Sequence, residues 1–202
     1  MKFKDTGGDF EQPSIGTHVA ICVKVIDIGT QRSEYQGNAN IRRQCIIAWE
    51  LPNELMTEGD RAGHPFVVSR FYTCSLSTKA NLRKDLENWR GREFSKIELD
   101  GFESKNILGK ACMLSLTLTD KGRSKVTGVM GLPKGTTVQK PVTPLLYFSL
   151  DEFDLAVFDS LSDGYKKFIT ISPEYRHITD PQPSQPPSSG ASFNDLDDDI
   201  PF

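Results

Sequence analysis

Apolar residues alternate along the first long stretch of the chain. From Thr17 to Ile28, Val19, Ile21, Val23 and Val25 fall on one side and His18, Cys22 and Lys24 on the other, which predicts a half-buried strand. Gly29 to Asn40 is polar, with Gly37-Asn38 as a turn signal. A second strand is expected from Ile41 to Leu51, with Ile41, Cys45, Ile47, Trp49 and Leu51 inward and Arg42, Gln44 and Glu50 outward. Pro52 to Pro65 reads as loop, and Phe66 to Leu76, rich in β-branched and aromatic residues, as a third strand. The period then changes. Leu82, Leu86 and Trp89 recur at helical spacing behind Thr78 as a candidate cap, and Gly91 stands where a helix stops. Strand pattern returns at Ala111 to Thr119, turns at Asp120 to Arg123, and continues to about Leu132. Pro133 to Pro144 is loop, and Ser149 with Glu152 forms a capping-box pair ahead of Phe153, Val157 and Leu161, a short peripheral helix. Lys166 to Ile171 is ambiguous, and no internal repeat is visible.

Three strands, a helix and two further strands is the element order of an OB-fold, a five-stranded Greek-key barrel with its helix between strands three and four. The expected fold is therefore mainly β, with a peripheral C-terminal helix and a disordered acidic tail. The boundaries read as residues 1–15 for an N-terminal extension, 16–179 for the barrel with C-terminal additions, and 180–202 for the linker and tip.

Charge sharpens the division. Asp195, Asp197, Asp198 and Asp199 are the charged residues of 181–202, and removing them from the net charge of −3 leaves residues 1–180 at about +1. Any polyanion site must then be a local basic patch. Cys22, Cys45, Cys74 and Cys112 are far apart, each in an apolar run, so they read as buried reduced thiols rather than zinc ligands. His18, His64 and His177 have no partner pattern. Phosphate-loop, zincin and nucleophile-elbow motifs are absent, so no cofactor or catalytic residue is expected and the chain reads as a binding protein, not an enzyme. There is no membrane-spanning run and no hydrophobic stretch behind Met1-Lys2-Phe3-Lys4, so a cytoplasmic protein is expected.

The tail has its own logic. Pro181 to Ser192 cannot bury a core and reads as a solvated tether. Behind it stand Asp197, Asp198, Asp199, Ile200, Pro201 and Phe202, three carboxylates before an apolar end. This is the chemistry of a portable ligand: Phe202 for an apolar pocket, its α-carboxylate for a basic rim, and aspartates to steer.

The tip DDDIPF closely resembles that of bacterial single-stranded-DNA-binding proteins. The body resembles phage- and prophage-encoded single-stranded-DNA-binding proteins along GTHVAICVKVIDIGTQ (16–31), IIAWELP (46–52), PFVVSRFYTCSL (65–76), LRKDLENWRGREF (82–94) and KNILGKAC (105–112). The resemblance spans most of residues 7–178 and implies single-stranded DNA as ligand, in the cytoplasm of a bacterial host, during replication, recombination or repair. It also implies genome-maintenance proteins as partners of the tip. The N-terminal strand does not match the tetrameric bacterial proteins, so their tetramer is not carried over and oligomeric state stays open.

Unspecific single-strand binding needs a cationic groove and aromatic faces for bases. On an OB-fold these lie on the outer face of strands two and three and in the flanking loops. The candidates are Arg32 and Tyr35 in the first loop, Arg42 and Gln44 on strand two, Arg70 and Tyr72 on strand three, and Lys121, Arg123 and Lys125 at the turn between strands four and five. Arg70 and Tyr72 share their side with Phe66 and Val68, and in an unbulged strand Phe71 would be the exposed aromatic instead. Trp49 and Trp89 read as core. Two other readings remain: a recombination mediator that anneals strands, and an interaction module that binds no DNA and uses its tip to imitate a host protein.

Overall fold

In the computed structural model, which describes residues 11–35 and 38–180, two long strands carry the molecule. β1 (Gly16–Tyr35) and β2 (Asn38–Leu55) form an antiparallel hairpin whose arms run well past the apolar stretches. The polar segment expected as loop is strand, because Thr30 to Tyr35 pairs in unbroken register with Arg43 to Asn38. A two-stranded ladder satisfies its own backbone groups without burying side chains.

β3 (Pro65–Thr73) pairs with β2, β4 (Ala111–Leu118) with the first part of β1, and β5 (Ser124–Met130) with β4. The order across the sheet is β3-β2-β1-β4-β5. A sixth strand that the sequence pattern does not announce, β6 (Leu146–Phe148), pairs parallel to β1 where β4 leaves off, Lys24 opposite Leu146 and Ile26 opposite Phe148. The sheet is thus mainly antiparallel, with β3 and β5 as its edges.

Two register shifts in β1, between Cys22 and Lys24 and between Asp27 and Gly29, break the alternation read from the sequence. Ala20, Cys22 and Val25 face one core, whereas Ile26 and Ile28 face another. On β2 the parity holds: Cys45, Ile47, Trp49 and Leu51 are inward, but Ile41, expected inside, is 65% exposed on the projecting hairpin.

The first core lies on the inner side of the sheet under α1 (Asn81–Arg90). Leu86 is buried and Leu82 and Trp89 are partly buried along its inward stripe, and Trp89 Nε1 donates to the Ala111 carbonyl at 2.7 Å. Thr78 does not cap this helix; its N-cap is Ala80, without a side-chain bond, while Gly91 closes it in the left-handed conformation at φ 67°. The short α2 (Lys96–Asp100) follows with a complete capping box between Ser95 and Glu98.

The second core lies on the outer side. α3 (Leu155–Ser160), α4 (Asp163–Thr170) and α5 (Pro173–Thr179) cover β1, the middle of β2 and β6, burying Ile26, Ile28, Ile46, Phe148, Phe158 and Ile169. The peripheral helix starts later than expected: Asp154, not Ser149, caps it, accepting from the N–H groups of Ala156 and Val157. The ambiguous segment 166–171 belongs to α4 and the residue after it. Gly29 is required where α5 begins, because a Cβ there would collide with Ser172. Glu174 fastens α5 to the strand, accepting from the Thr30 N–H at 2.8 Å and from its hydroxyl. Glu50 points outward, yet it is fully buried, because its carboxylate accepts the N–H groups of Val142 and Thr143 at 2.9 and 2.6 Å and so pins the β5–β6 connection across the sheet.

The first described residues are tied to the loops. Glu11 accepts from the Thr57 N–H and hydroxyl, and Gln12 from the Ser124 N–H. Among the described residues no helix is long and apolar enough to cross a membrane, and no group of His, Cys, Asp and Glu is placed to hold a metal ion.

Candidate nucleic-acid interface

One cross-strand row on the outer face marks a boundary. Ile26, Ile46 and Phe71 are register partners on β1, β2 and β3, and they are 0%, 1% and 48% exposed. The helices cover the first two and stop at the third, where Phe168 of α4 meets Phe71 in a T-shaped contact with ring centroids 5.2 Å apart. Phe71 is the aromatic that strict alternation of β3 places outward.

A depression lies on each side of this ring. One, of about 260 Å³, is lined by Arg42, Gln44, Phe71, Thr73, Ser77 and Lys79 among others. The other, of about 580 Å³, lies between Ser69 and the β4–β5 turn with Lys121, Arg123 and Lys125. Ser69 and Phe71 are alternate residues of one strand, so the two depressions are about 7 Å apart along β3. Asp120 is the acidic residue among their linings.

Five arginines outside these depressions are held in salt bridges. Arg43 is paired with Asp27 and Asp151, Arg70 with Asp85, Arg83 with Glu87, and Arg90 and Arg92 with Glu98. Arg42, Lys79, Lys121, Arg123 and Lys125 form no salt bridge with a described residue. Arg42 Nε is held by the Asn40 side chain at 2.7 Å, which leaves its charge uncompensated. Paired arginines brace the fold; Arg42, Lys79, Lys121, Arg123 and Lys125 are unpaired among the described residues, as are Arg32, Arg61 and Arg176 elsewhere, but these five share the two depressions.

Arg70 lines neither depression, and Tyr72 lines the Arg42 depression without offering it a ring. They point inward, Tyr72 is 3% exposed, and both reach Asp85 of α1, the guanidinium at 2.8 Å and the phenol at 2.7 Å. Burial holds the Asp85 carboxyl above the ordinary carboxylate range, outweighing the Tyr72 hydrogen bond and the Arg70 charge that lower it. A ring so enclosed has no face for a base; with Arg70 it forms a strut between β3 and α1. Arg32 is exposed, but the register places it opposite Ile41 whereas Arg42 lies opposite Gln31, so Arg32 and Arg42 take opposite sides of the hairpin. Tyr35 ends β1 opposite Asn38 at the hairpin tip. Trp49 is core, as expected, at 1% exposure. Asp197, Asp198, Asp199, Ile200, Pro201 and Phe202 lie outside the described residues.

The structure thus brings Arg42 and Gln44 together in one depression and Lys121, Arg123 and Lys125 in the other. It adds Lys79 and Phe168, which the sequence reading missed. Lys79 sits in a polar run before a helix and carries no periodic signal. Phe168 belongs to a segment whose pattern was ambiguous, and only the packing of α4 against β3 brings it to the site.

No protein-family model matches this sequence, and a search of the curated proteins finds no match either.

Proposed function

We propose that this protein binds single-stranded DNA without strong sequence preference, along the outer face of β3. The observation that carries the reading is the bare Phe71 ring between two depressions rimmed by unpaired cations. Phosphates would follow Lys121, Arg123 and Lys125 on one side and Arg42 and Lys79 on the other, with a base on Phe71 between them. Stacking and phosphate contact tolerate any sequence, since every base has a π-face and every nucleotide a charge. Binding rather than catalysis is the proposed activity.

The same reading takes the sheet as an OB barrel. Its strand order is that of an OB-fold opened between β3 and β5, with α1 between β3 and β4, and β3 and β5 approach each other across the gap. The resemblance to phage single-stranded-DNA-binding proteins supports this assignment, with replication, recombination or repair proteins as partners of the tip. Read from its composition as a tether of about 20 residues with a reach of roughly 25 Å, the segment before the tip would let the acidic end compete with DNA at the basic depressions.

The test is fluorescence anisotropy of a labelled oligo-dT titrated with the full chain and with residues 1–194, at low and moderate salt. Affinity should fall linearly on a log–log salt plot and rise when the tip is removed. An absence of binding by both forms would remove the proposal.

A further inference from the structure

The four cysteines form two pairs of the same geometry and opposite accessibility. Cys45 lies opposite Tyr72, and the N–H of Cys74 donates to the Arg43 carbonyl at 2.9 Å, which puts Cys45 and Cys74 on a diagonal across two strands. Cys112 lies opposite Ala20, and the N–H of Cys22 donates to the Lys110 carbonyl at 3.0 Å, the same diagonal on β1 and β4. Cys22 and Cys112 are both fully enclosed, and burial pushes the Cys22 thiol up to about 12. The other pair opens to solvent: Cys74 is exposed, and both its thiol and that of Cys45 line a cavity of about 360 Å³ beneath α1. The neighbouring Cys74 thiol, with burial, holds the Cys45 thiol well above the ordinary range.

We propose that Cys45 and Cys74 are an oxidisable dithiol, a modification site for hydrogen peroxide and related hydroperoxides that closes to a disulfide between β2 and the β3–α1 connection. Cys74, the accessible member, reacts first. Its thiolate sulfur attacks one peroxide oxygen, the O–O bond breaks, and hydroxide leaves and takes up the thiol proton as water, giving a sulfenic acid. Cys45 then attacks that sulfur, the S–S bond forms, and the sulfenic oxygen departs with the Cys45 proton as a second water. Two thiols and one peroxide become one disulfide and two waters. A thiol reductant reverses the bond by exchange.

Cys74 stands between Thr73 and Ser75, both of which line the depression beside Phe71. If that groove takes a strand, as proposed above, the bond would also alter affinity; the bond itself is read independently of that reading.

The experiment is peptide mapping of the native full chain after peroxide treatment, alkylation and non-reducing digestion. The expected product is a Cys45–Cys74 cross-linked peptide, lighter by two hydrogens and lost on dithiothreitol, with Cys22 and Cys112 alkylated only after denaturation. Cys45→Ser should leave Cys74 as a sulfenic acid that dimedone captures several-fold more than in the unmodified protein. The proposal is overturned if Cys74 proceeds to sulfinic acid equally in both proteins with no cross-link, or if Cys22 and Cys112 cross-link to the same extent.

Discussion

The outer face of the sheet has two halves built from the same pleat. Over β1 and the middle of β2 the outward residues are Ile26, Ile28, Ile46 and Ala48, and helices or the pinned 142–143 segment cover them. Over β3 the outward residues are Ser69, Phe71 and Thr73, and the covering stops at Phe168. Arg70 of β3 turns inward and pairs with Asp85 of α1, whereas Arg42 and Arg123 beside the bare face have no salt-bridge partner among the described residues. The covered half contributes stability through apolar burial, and the bare half keeps charge and one aromatic ring available to a ligand.

The largest expected contrast comes from one phenylalanine in each half. Phe148→Ala empties the covered core and should cost about 3–5 kcal/mol in denaturant unfolding. Phe71→Ala should change stability by less than about 1 kcal/mol, since its ring is half exposed. It should nonetheless weaken oligo-dT binding by about 1–3 kcal/mol in anisotropy titrations. Equal losses of stability would erase the division between the halves.

Charge gives the next effect. Replacing Lys121, Arg123 and Lys125 together by alanine should flatten the log–log salt slope by about 2, at roughly 0.7 per lost phosphate contact on a single strand. Arg70→Ala, which breaks the strut to Asp85, should lower stability and leave that slope unchanged.

The smallest effect concerns how the cover is attached. Burial pushes the Glu174 carboxyl up, but the hydroxyl and N–H of Thr30, the Glu174 N–H and the Arg43 charge together pull it down by more, so its folded value lies below 4.5. A depressed carboxylate contributes stability that is complete above the unfolded value and is lost as pH falls through the folded one. The thermal midpoint should therefore drop more steeply on acidification below about pH 4.5 in the parent protein than in Glu174→Gln.

Local pattern carried most of the strands and the principal helix, because alternation and the Leu82–Leu86–Trp89 stripe report burial directly. It failed at the bulges of β1, where one extra residue reverses every later side chain, and in the hairpin arms, whose polar residues pair without a core. β6 was invisible because three residues cannot establish a period. At the site, the basic turn and strand two were legible by position in the element order. Arg70 and Tyr72 were not, because only the packing of Asp85 of α1 against them shows which way they point.

The late partner of β1 has a consequence for synthesis. Ile26 waits for Phe148, which is made more than a hundred residues later, and at roughly 5–20 residues per second that interval is on the order of ten seconds. Until β6 and the C-terminal helices leave the ribosome, the nascent sheet carries Ile26, Ile28 and Ile46 uncovered. During that interval the growing chain offers chaperones an apolar patch, and a message truncated before residue 146 should yield an aggregation-prone fragment rather than a smaller functional protein.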